Sequence, residues 1–389
     1  MGHVGERLLR GRDTWWLLGP GGVARVGHRQ VTDTGELRPS AHRLLDERGL
    51  FRSTPERVYS LTVLTSTDCN LGCGYCFQNT GQDSSGGSRP PRIKRARLTS
   101  ATITSILGFA DRQMASAGLH KLGVLLFGGE PLLNPRGCVE LLSRAADHNL
   151  VSAWMISNAT LLTPPLAHEL TALGLRSVQV TFDGDRDDHD RIRVRRSPGG
   201  TFDTIVRNIV QVTAATELRW MLRVNVSHHN YQGIDALLER LAGSVDPQRC
   251  SIYFARVGDV GVGYANELLH SGELRARFTR WHRTALEHGF TVPRPRADLP
   301  CVTCESGEGR HGAVVNADGT LASCWETAGQ PGWEVGTVDE GYLPVDRRAK
   351  RWISCGDMYR HHESAQALAD FRDAVDAALL DDLHEKGLL

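Results

Sequence analysis

Three cysteines within eight residues constrain this chain more than any other feature: Cys69-Asn70-Leu71-Gly72-Cys73-Gly74-Tyr75-Cys76, spaced C-x3-C-x2-C. Positions i, i+4 and i+7 share one helix face, so a buried cysteine stripe is one reading. Gly72 and Gly74 oppose it, since each costs roughly 1 kcal/mol in a helix interior. The preceding run, 58–65 (VYSLTVLT), is β-branched and alternating, the pattern of a strand. The cysteines therefore fall on a loop past a strand's C-terminal end. A [4Fe–4S] cluster normally takes four thiolates. A loop supplying three leaves one iron for a ligand that is not protein.

The 389-residue length allows one large domain with smaller additions. Lys+Arg and Asp+Glu both total 45, so net charge is zero and nothing points to nucleic acid or an anionic membrane. The basic runs 92–97 (RIKRAR) and 191–196 (RIRVRR) read as solvated faces. No apolar run approaches the ~18 residues of a membrane span. The first residues, MGHVGERLLRGRDTWW, lack a secretory apolar core, and Glu6 stands where a myristoylation pattern wants Ser or Thr. The expectation is a cytoplasmic protein, whose nine cysteines point to metal or redox work rather than disulfides.

In chain order, 15–26 reads as two short strands about Gly19-Pro20-Gly21-Gly22, with a helix at 40–48. After the cysteine loop, 79–97 is rich in Gly, Ser, Pro and Arg and reads as a lid or binding loop. Strands are expected at 58–65, 123–127, 153–157, 177–182, 219–226 and 250–255. Helices are expected between and after them, at 100–117, 139–149, 164–173, 204–216, 234–242 and 274–288. Strands alternating with helices imply an α/β fold with a parallel sheet and function at the strands' C-terminal ends. The cysteine loop, Gly128-Gly129-Glu130-Pro131, Asn158, Asp183 and Arg193 all fall there.

The motif CNLGCGYC, with an aromatic before its last cysteine, resembles the radical SAM enzymes. That resemblance implies a partial (β/α)6 TIM-type barrel over 58–290. It also implies that the free iron chelates S-adenosylmethionine, whose reductive cleavage yields a 5′-deoxyadenosyl radical that takes hydrogen from a C–H bond. By the same resemblance Tyr75 belongs to the cofactor site, and Gly128, Gly129, Glu130 and Pro131 receive the methionyl amino group. Asn158 matches the family's Asn-Gly step with Ala159 in place of Gly, Thr181 stands near the ribose position, and Arg193 of His189-Asp190-Arg191-Ile192-Arg193 partners the carboxylate. Arg223 and Asn225 also match a family pattern. Independently of the family, the two glycines permit close backbone approach, and Glu130 offers a carboxylate to an ammonium group.

A second cysteine group follows: Cys301, Cys304, Cys324 and Cys355. The segments about Asp318-Gly319 read as a hairpin with a tight turn. The spacing from Cys304 through Gly319 to Cys324 resembles the opening of SPASM and twitch domains, and the absence of a later cysteine run favours the twitch form. The four cysteines suffice for one auxiliary [4Fe–4S] cluster; a structural zinc site is the alternative. Cys138 and Cys250 stand alone as packed thiols. The expected organisation is a preface over 1–57, a barrel over 58–290, a small Cys-rich β-hairpin/helix module over 291–360, and a C-terminal helix over 361–389.

The function expected from the resemblance is modification of a ribosomally made precursor peptide by a carbon–carbon or thioether cross-link. The preface is a candidate contact for the peptide's leader, and a low-potential donor of the flavodoxin or ferredoxin type supplies electrons. The alternative is a small-molecule radical dehydrogenase or epimerase acting on a sugar or aminocyclitol. A non-catalytic zinc or iron–sulfur protein is a third class. No residue stands out in the sequence as the catalytic acid or base.

Overall fold

The computed structural model describes residues 5–52, 58–82, 90–195, 199–264, 266–297, 309–354 and 363–389. Along the chain run β1 (Arg7–Arg10), β2 (Trp15–Gly19), β3 (Gly22–Val26), α1 (Pro39–Glu47), β4 (Val58–Ser66), α2 (Ser100–Ala117), β5 (Lys121–Gly128) and α3 (Pro135–Ala145). Then come β6 (Leu150–Ile156), α4 (Pro164–Ala172), β7 (Leu175–Phe182), α5 (Arg186–Ile192), α6 (Phe202–Ala215), β8 (Arg219–Val226), α7 (Ile234–Ala242) and β9 (Cys250–Arg256). The rest are α8 (Gly272–Glu287), β10 (Gly312–Val315), β11 (Thr320–Ala322), β12 (Gly336–Thr337), β13 (Gly341–Tyr342), α9 (Val345–Arg348) and α10 (Ala365–Glu385). Among the described residues, no helix is long and apolar enough to cross a membrane.

Contacts divide these elements into two units. One comprises Arg57–Glu267 and Cys301–His361, the other Met1–Glu56, Leu268–Pro300 and His362–Leu389. This differs from the linear division expected at 57, 290 and 360. The helix α8 groups with the preface and the C-terminal helix because its apolar face packs there: Phe278 meets Phe371 of α10 edge-on at 5.3 Å.

The larger unit is built on β4 to β9, which pair in parallel and in sequence order. This is the expected α/β architecture, an open parallel sheet of the partial-barrel type. In β5 every residue from Leu122 to Gly128 is buried, as a strand covered on both faces requires. Local sequence ends the helices cleanly. Thr99 caps α2 by accepting the Thr102 N–H, and Gly118 closes it in the left-handed region at φ 65°. Asn134 caps α3 while its amide donates to the carbonyls of Thr65 and Leu98, tying that helix to the end of β4.

The expected hairpin forms at β10 and β11, with Gly319 at φ 88° in its turn. Its place was not legible in the sequence. Strand β10 pairs in parallel with β4, Gly312 opposite Ser60, so the hairpin and β12–β13 extend the sheet to ten strands. Leu64, Leu125, Phe127, Val314 and Ala322 accordingly share one core cluster, with Phe77 and Trp325 against it. Cys324 follows β11 and is buried. Cys301, Cys304 and Cys355 lie outside the described residues, as do 83–89 of the expected lid loop.

In the other unit β1, β2 and β3 form an antiparallel sheet in that order. Strand β2 alternates as a two-faced strand must. Trp16 and Leu18 pack with Ala377 and Leu380 of α10, while Leu17 packs with Leu45 of α1. The unexpected strand is β1. Its Arg7 is buried because Asp373 and Asp376 of α10 receive its guanidinium at 2.5 and 2.7 Å.

Candidate cofactor site

The cysteine loop leaves β4 and is pinned from one side only by backbone. Leu71 bridges Arg195, and the Gly72 N–H donates to the Val194 carbonyl at 2.8 Å. Cys69, Cys73, Leu71, Tyr75 and Cys76 pack as one cluster, with Cys69 and Cys73 buried and Cys76 half-buried. N–H donors approach two of the sulfurs. The Leu71 N–H points at Cys69 Sγ at 3.4 Å, Asn158 Nδ2 lies 4.0 Å from the same sulfur, and Arg92 Nη1 lies 3.8 Å from Cys76 Sγ.

Burial pushes the Cys69 thiol up to about 12 and the Cys73 thiol to about 11 despite the Arg92 guanidinium nearby, so neither ionises at neutral pH without a metal cation. Metal binding provides that cation and releases the protons. Among the described residues no three His, Cys, Asp or Glu side chains converge on a single ion. Thiolates on a cluster each take a different iron, so they need not converge. Three thiols on one loop, two of them buried and two of them met by N–H donors, fit an iron–sulfur cluster.

Gly128 and Gly129 serve the backbone rather than an open approach to ligand. A Cβ on Gly128 would run into the Ser66 carbonyl, and one on Gly129 into those of Thr67 and Asp68. Without side chains there, the Gly129 N–H reaches Ser66 O and the Glu130 N–H reaches Asp68 O, each at 2.8 Å. The end of β5 is thereby laid along the residues that lead into Cys69. Pro131 opens a short turn, and its carbonyl accepts from Thr65 Oγ1 and the Cys138 thiol. Cys138 is thus a packed thiol.

Glu130 is fully buried. One carboxylate oxygen accepts from Leu132 N–H at 3.0 Å and Ser157 Oγ at 2.8 Å, and the other from Asn158 N–H at 2.7 Å. A carboxylate has about four acceptor directions, so one remains for a further donor. Burial raises the Glu130 carboxyl above its usual range, against the pull of these bonds.

Asn158 continues the chain of contacts. Its Nδ2 donates to Asn70 Oδ1 at 2.8 Å, inside the cysteine loop, and its Oδ1 accepts from both Thr160 N–H and Thr160 Oγ1. Ala159, where the family motif has Gly, sits in the left-handed region at φ 58°. It is held there by Ser157 Oγ on its N–H and Asn208 Nδ2 on its carbonyl.

Arg193 is buried and paired: Nη1 lies 3.1 Å from Asp183 Oδ2 and 2.9 Å from the Tyr75 hydroxyl, which itself donates to Asp183 at 2.8 Å. Burial works against the guanidinium charge, but the Asp183 carboxylate beside it offsets that cost and Arg193 stays protonated. Its Nε is buried without a partner. The preceding motif residues position it. His189 accepts the Asp183 N–H at Nδ1, which puts the proton on Nε2 to donate to Thr201 Oγ1 at 3.0 Å. Burial lowers this imidazole well below its usual range, so it is neutral. Asp190 receives the N–H groups of Thr201 and Phe202 at the start of α6.

Beside Tyr75 and Arg193, a cavity of about 340 Å³ opens at the C-terminal ends of the strands. Phe127, Thr181, Arg223, Tyr253 and Trp325 line it. Arg223 donates to Asn225 at 2.8 Å, and the Tyr253 hydroxyl donates to Gln179 at 3.1 Å. The structure thus brings Tyr75, Thr181 and Arg193 to one cavity, with Glu130 and Asn158 behind the cysteine loop. The sequence reading missed Tyr253 and Trp325. Tyr253 stands near the end of the last parallel strand and Trp325 directly follows Cys324, the available signals.

Residues 63–241 match the family described as the Radical SAM superfamily. The AdoMet-dependent heme synthase of Methanosarcina barkeri (strain Fusaro / DSM 804) is 28% identical over 172 residues, 44% of this chain and 43% of that protein. The probable GTP 3',8-cyclase of Pyrococcus abyssi (strain GE5 / Orsay) is 28% identical over 169 residues, 43% of this chain and 47% of that protein. The chain therefore spans less than half the length of these curated relatives. The solved structure titled "Native anSMEcpe with bound AdoMet" aligns with a TM-score of 0.60 at 13% identity, covering 83% of this chain and 98% of that one, a likeness of fold. Residues 63–241, just under half of the chain, thus resemble the Radical SAM superfamily, and the fold neighbour is a protein with AdoMet bound.

Proposed function

We propose that Cys69, Cys73 and Cys76 hold a [4Fe–4S] cluster, and that the chain uses it with S-adenosylmethionine to activate a C–H bond in a ribosomally made precursor peptide. The observation that carries the reading is the cysteine loop's adjacency, through Tyr75, to the cavity of about 340 Å³. When bound, the cofactors supply a 5′-deoxyadenosyl radical. The chain's residues hold and orient. Glu130 has one acceptor direction left for the methionyl ammonium, and Arg193 Nε is an unspent donor for its carboxylate. Thr181 and Tyr253 line the space beyond, and Phe127 and Trp325 exclude water from it.

The peptide reading rests on the smaller unit. Among the described residues, no strand pairs with the outer edge of β3. That strand borders a cavity of about 630 Å³ that Arg25, Arg294 and Arg296 also line. An extended acidic segment can add to such an edge as a strand. Cys324, with Cys301, Cys304 and Cys355, would hold the auxiliary cluster, and a small low-potential carrier would supply electrons. The cavity volume also suits a small molecule, which keeps a radical dehydrogenase or epimerase as the second reading.

The test has two arms. Anaerobically reconstituted protein should bind iron and cleave S-adenosylmethionine when reduced, and replacing Cys69, Cys73 and Cys76 with Ala should abolish cleavage. Deleting the preface is unsuitable, because β2 is the centre of the smaller unit's core. Reversing charge with Arg25→Glu and Arg294→Glu should instead weaken binding of a co-encoded acidic peptide at least tenfold, with cofactor cleavage retained. Unchanged peptide affinity moves the small-molecule reading to first place.

A further inference from the structure

Arg92 lies sixteen residues beyond Cys76, yet the fold returns it to the cysteine loop. A short antiparallel ladder does this. Asn79 bridges Arg92, the Thr80 N–H donates to Pro91 O at 2.7 Å, and the Ile93 N–H donates to Gln78 O at 3.1 Å. The buried Ile93 side chain anchors the returning strand. The guanidinium is thereby fixed: Nη2 donates to Gln78 Oε1 at 2.9 Å, and Nη1 points at Cys76 Sγ at 3.8 Å. Its Nε is buried without a partner.

The charge balance around the loop gives this arginine its meaning. The other guanidinium near the cysteines, Arg193, is matched by Asp183 at 3.1 Å. Among the described residues no carboxylate pairs with Arg92. Its neighbours are the sulfurs of the cysteine loop, Cys76 Sγ at 3.8 Å first among them, which become thiolates when a cluster binds. One positive charge therefore faces the three sulfurs without an opposing carboxylate.

We propose that Arg92 sets the reduction potential of the cluster held by this loop, its fixed charge and its N–H contact to Cys76 Sγ favouring the reduced state. The inference rests on the reading that Cys69, Cys73 and Cys76 hold a [4Fe–4S] cluster. Reduction adds one electron, hence one negative charge, to the cluster. Fixed positive charge and hydrogen bonds to the sulfurs stabilise that charge and raise the potential. Partial burial strengthens the effect by lowering the local dielectric.

The test is an anaerobic redox titration of reconstituted full-length protein followed by EPR of the reduced cluster. The loop's cluster is identified as the one whose signal changes on adding S-adenosylmethionine. Arg92→Gln should lower the potential by at least 59 mV, a tenfold shift for a one-electron couple. Arg92→Lys, which keeps the charge but not the fork, should fall between the two, and both variants should keep their iron. An unchanged potential in iron-replete Arg92→Gln overturns the proposal. Loss of iron in both variants also overturns it, because Arg92 is then a structural strut. Wild-type protein that binds no iron at this loop sinks the cluster reading itself, and this inference with it.

Discussion

The Glu130 carboxylate accepts the backbone N–H of Asn158 at 2.7 Å. This bond joins the end of β5 to the loop after β6, and Asn158 in turn holds Asn70 of the cysteine loop. Two motifs that read in sequence as separate ligand contacts form one framework.

Glu130→Gln places an amide donor among three N–H and O–H donors, so at least one buried donor loses its acceptor. Each such loss costs about 1–3 kcal/mol. The variant should show a lower urea midpoint and weaker S-adenosylmethionine binding, with iron content unchanged. A wild-type midpoint would mean that Glu130 does not hold the loop.

Asp183, Tyr75 and Arg193 form a buried group in which every pair is in contact. Breaking a buried ion pair costs about 3–5 kcal/mol, so Asp183→Asn should destabilise strongly. Tyr75→Phe should cost about 1.5–3 kcal/mol as a hydrogen bond to a charged group. In the double variant the two effects should not add, with a coupling of about 0.5–3 kcal/mol. Additive midpoints would disprove the shared network.

Ala159 holds a left-handed conformation at φ 58°. An L-residue pays about 1–2 kcal/mol there, while glycine loses about 0.4–1 kcal/mol through the freer unfolded chain. Ala159→Gly should therefore leave Tm equal or slightly higher. The β-branched Ala159→Val should lower it by several degrees. A clear drop for the glycine variant would contradict the conformation described.

His282, on α8, is buried, and that burial lowers its imidazole to about 4 from an ordinary value of 6.5. Between those values the unfolded chain binds a proton that the folded chain refuses, so stability falls as pH drops through the window. At pH 5 the loss from this residue is about 2 kcal/mol. His282→Gln should lose correspondingly less between pH 7 and pH 5 in urea titrations. His189 contributes in the same direction and remains in both proteins. Identical pH profiles would show that His282 is protonated in the fold.

Much of the larger unit was legible because its signals are local. The cysteine loop needs only eight residues, and the strand–helix alternation shows in short apolar periods and their caps, such as Thr99 and Gly118 around α2. The hairpin announced itself through Asp318-Gly319, and the motif departure at Ala159 marked the position that the fold strains. The helix α5 was missed because Arg186–Ile192 is short and carries only one apolar residue, so it has no periodicity to read.

What the sequence by itself determined, then, is the order of elements, the loop of three thiols and the set of polar residues at the strands' ends. Tertiary structure alone decided which of those residues are already engaged and by whom. Nothing near Arg7 in the sequence marks it as buried; Asp373 and Asp376, 366 and 369 positions away, receive it in the fold. Glu130 and Arg193 read as charges free for a ligand and Arg92 as part of a solvated basic run; the fold fills most acceptor sites of the first, pairs the second with Asp183, and aims the third at Cys76. The physical reason is that a buried charge is tolerated only with its partners in place, and those partners come from strands and loops that only the folded sheet brings together.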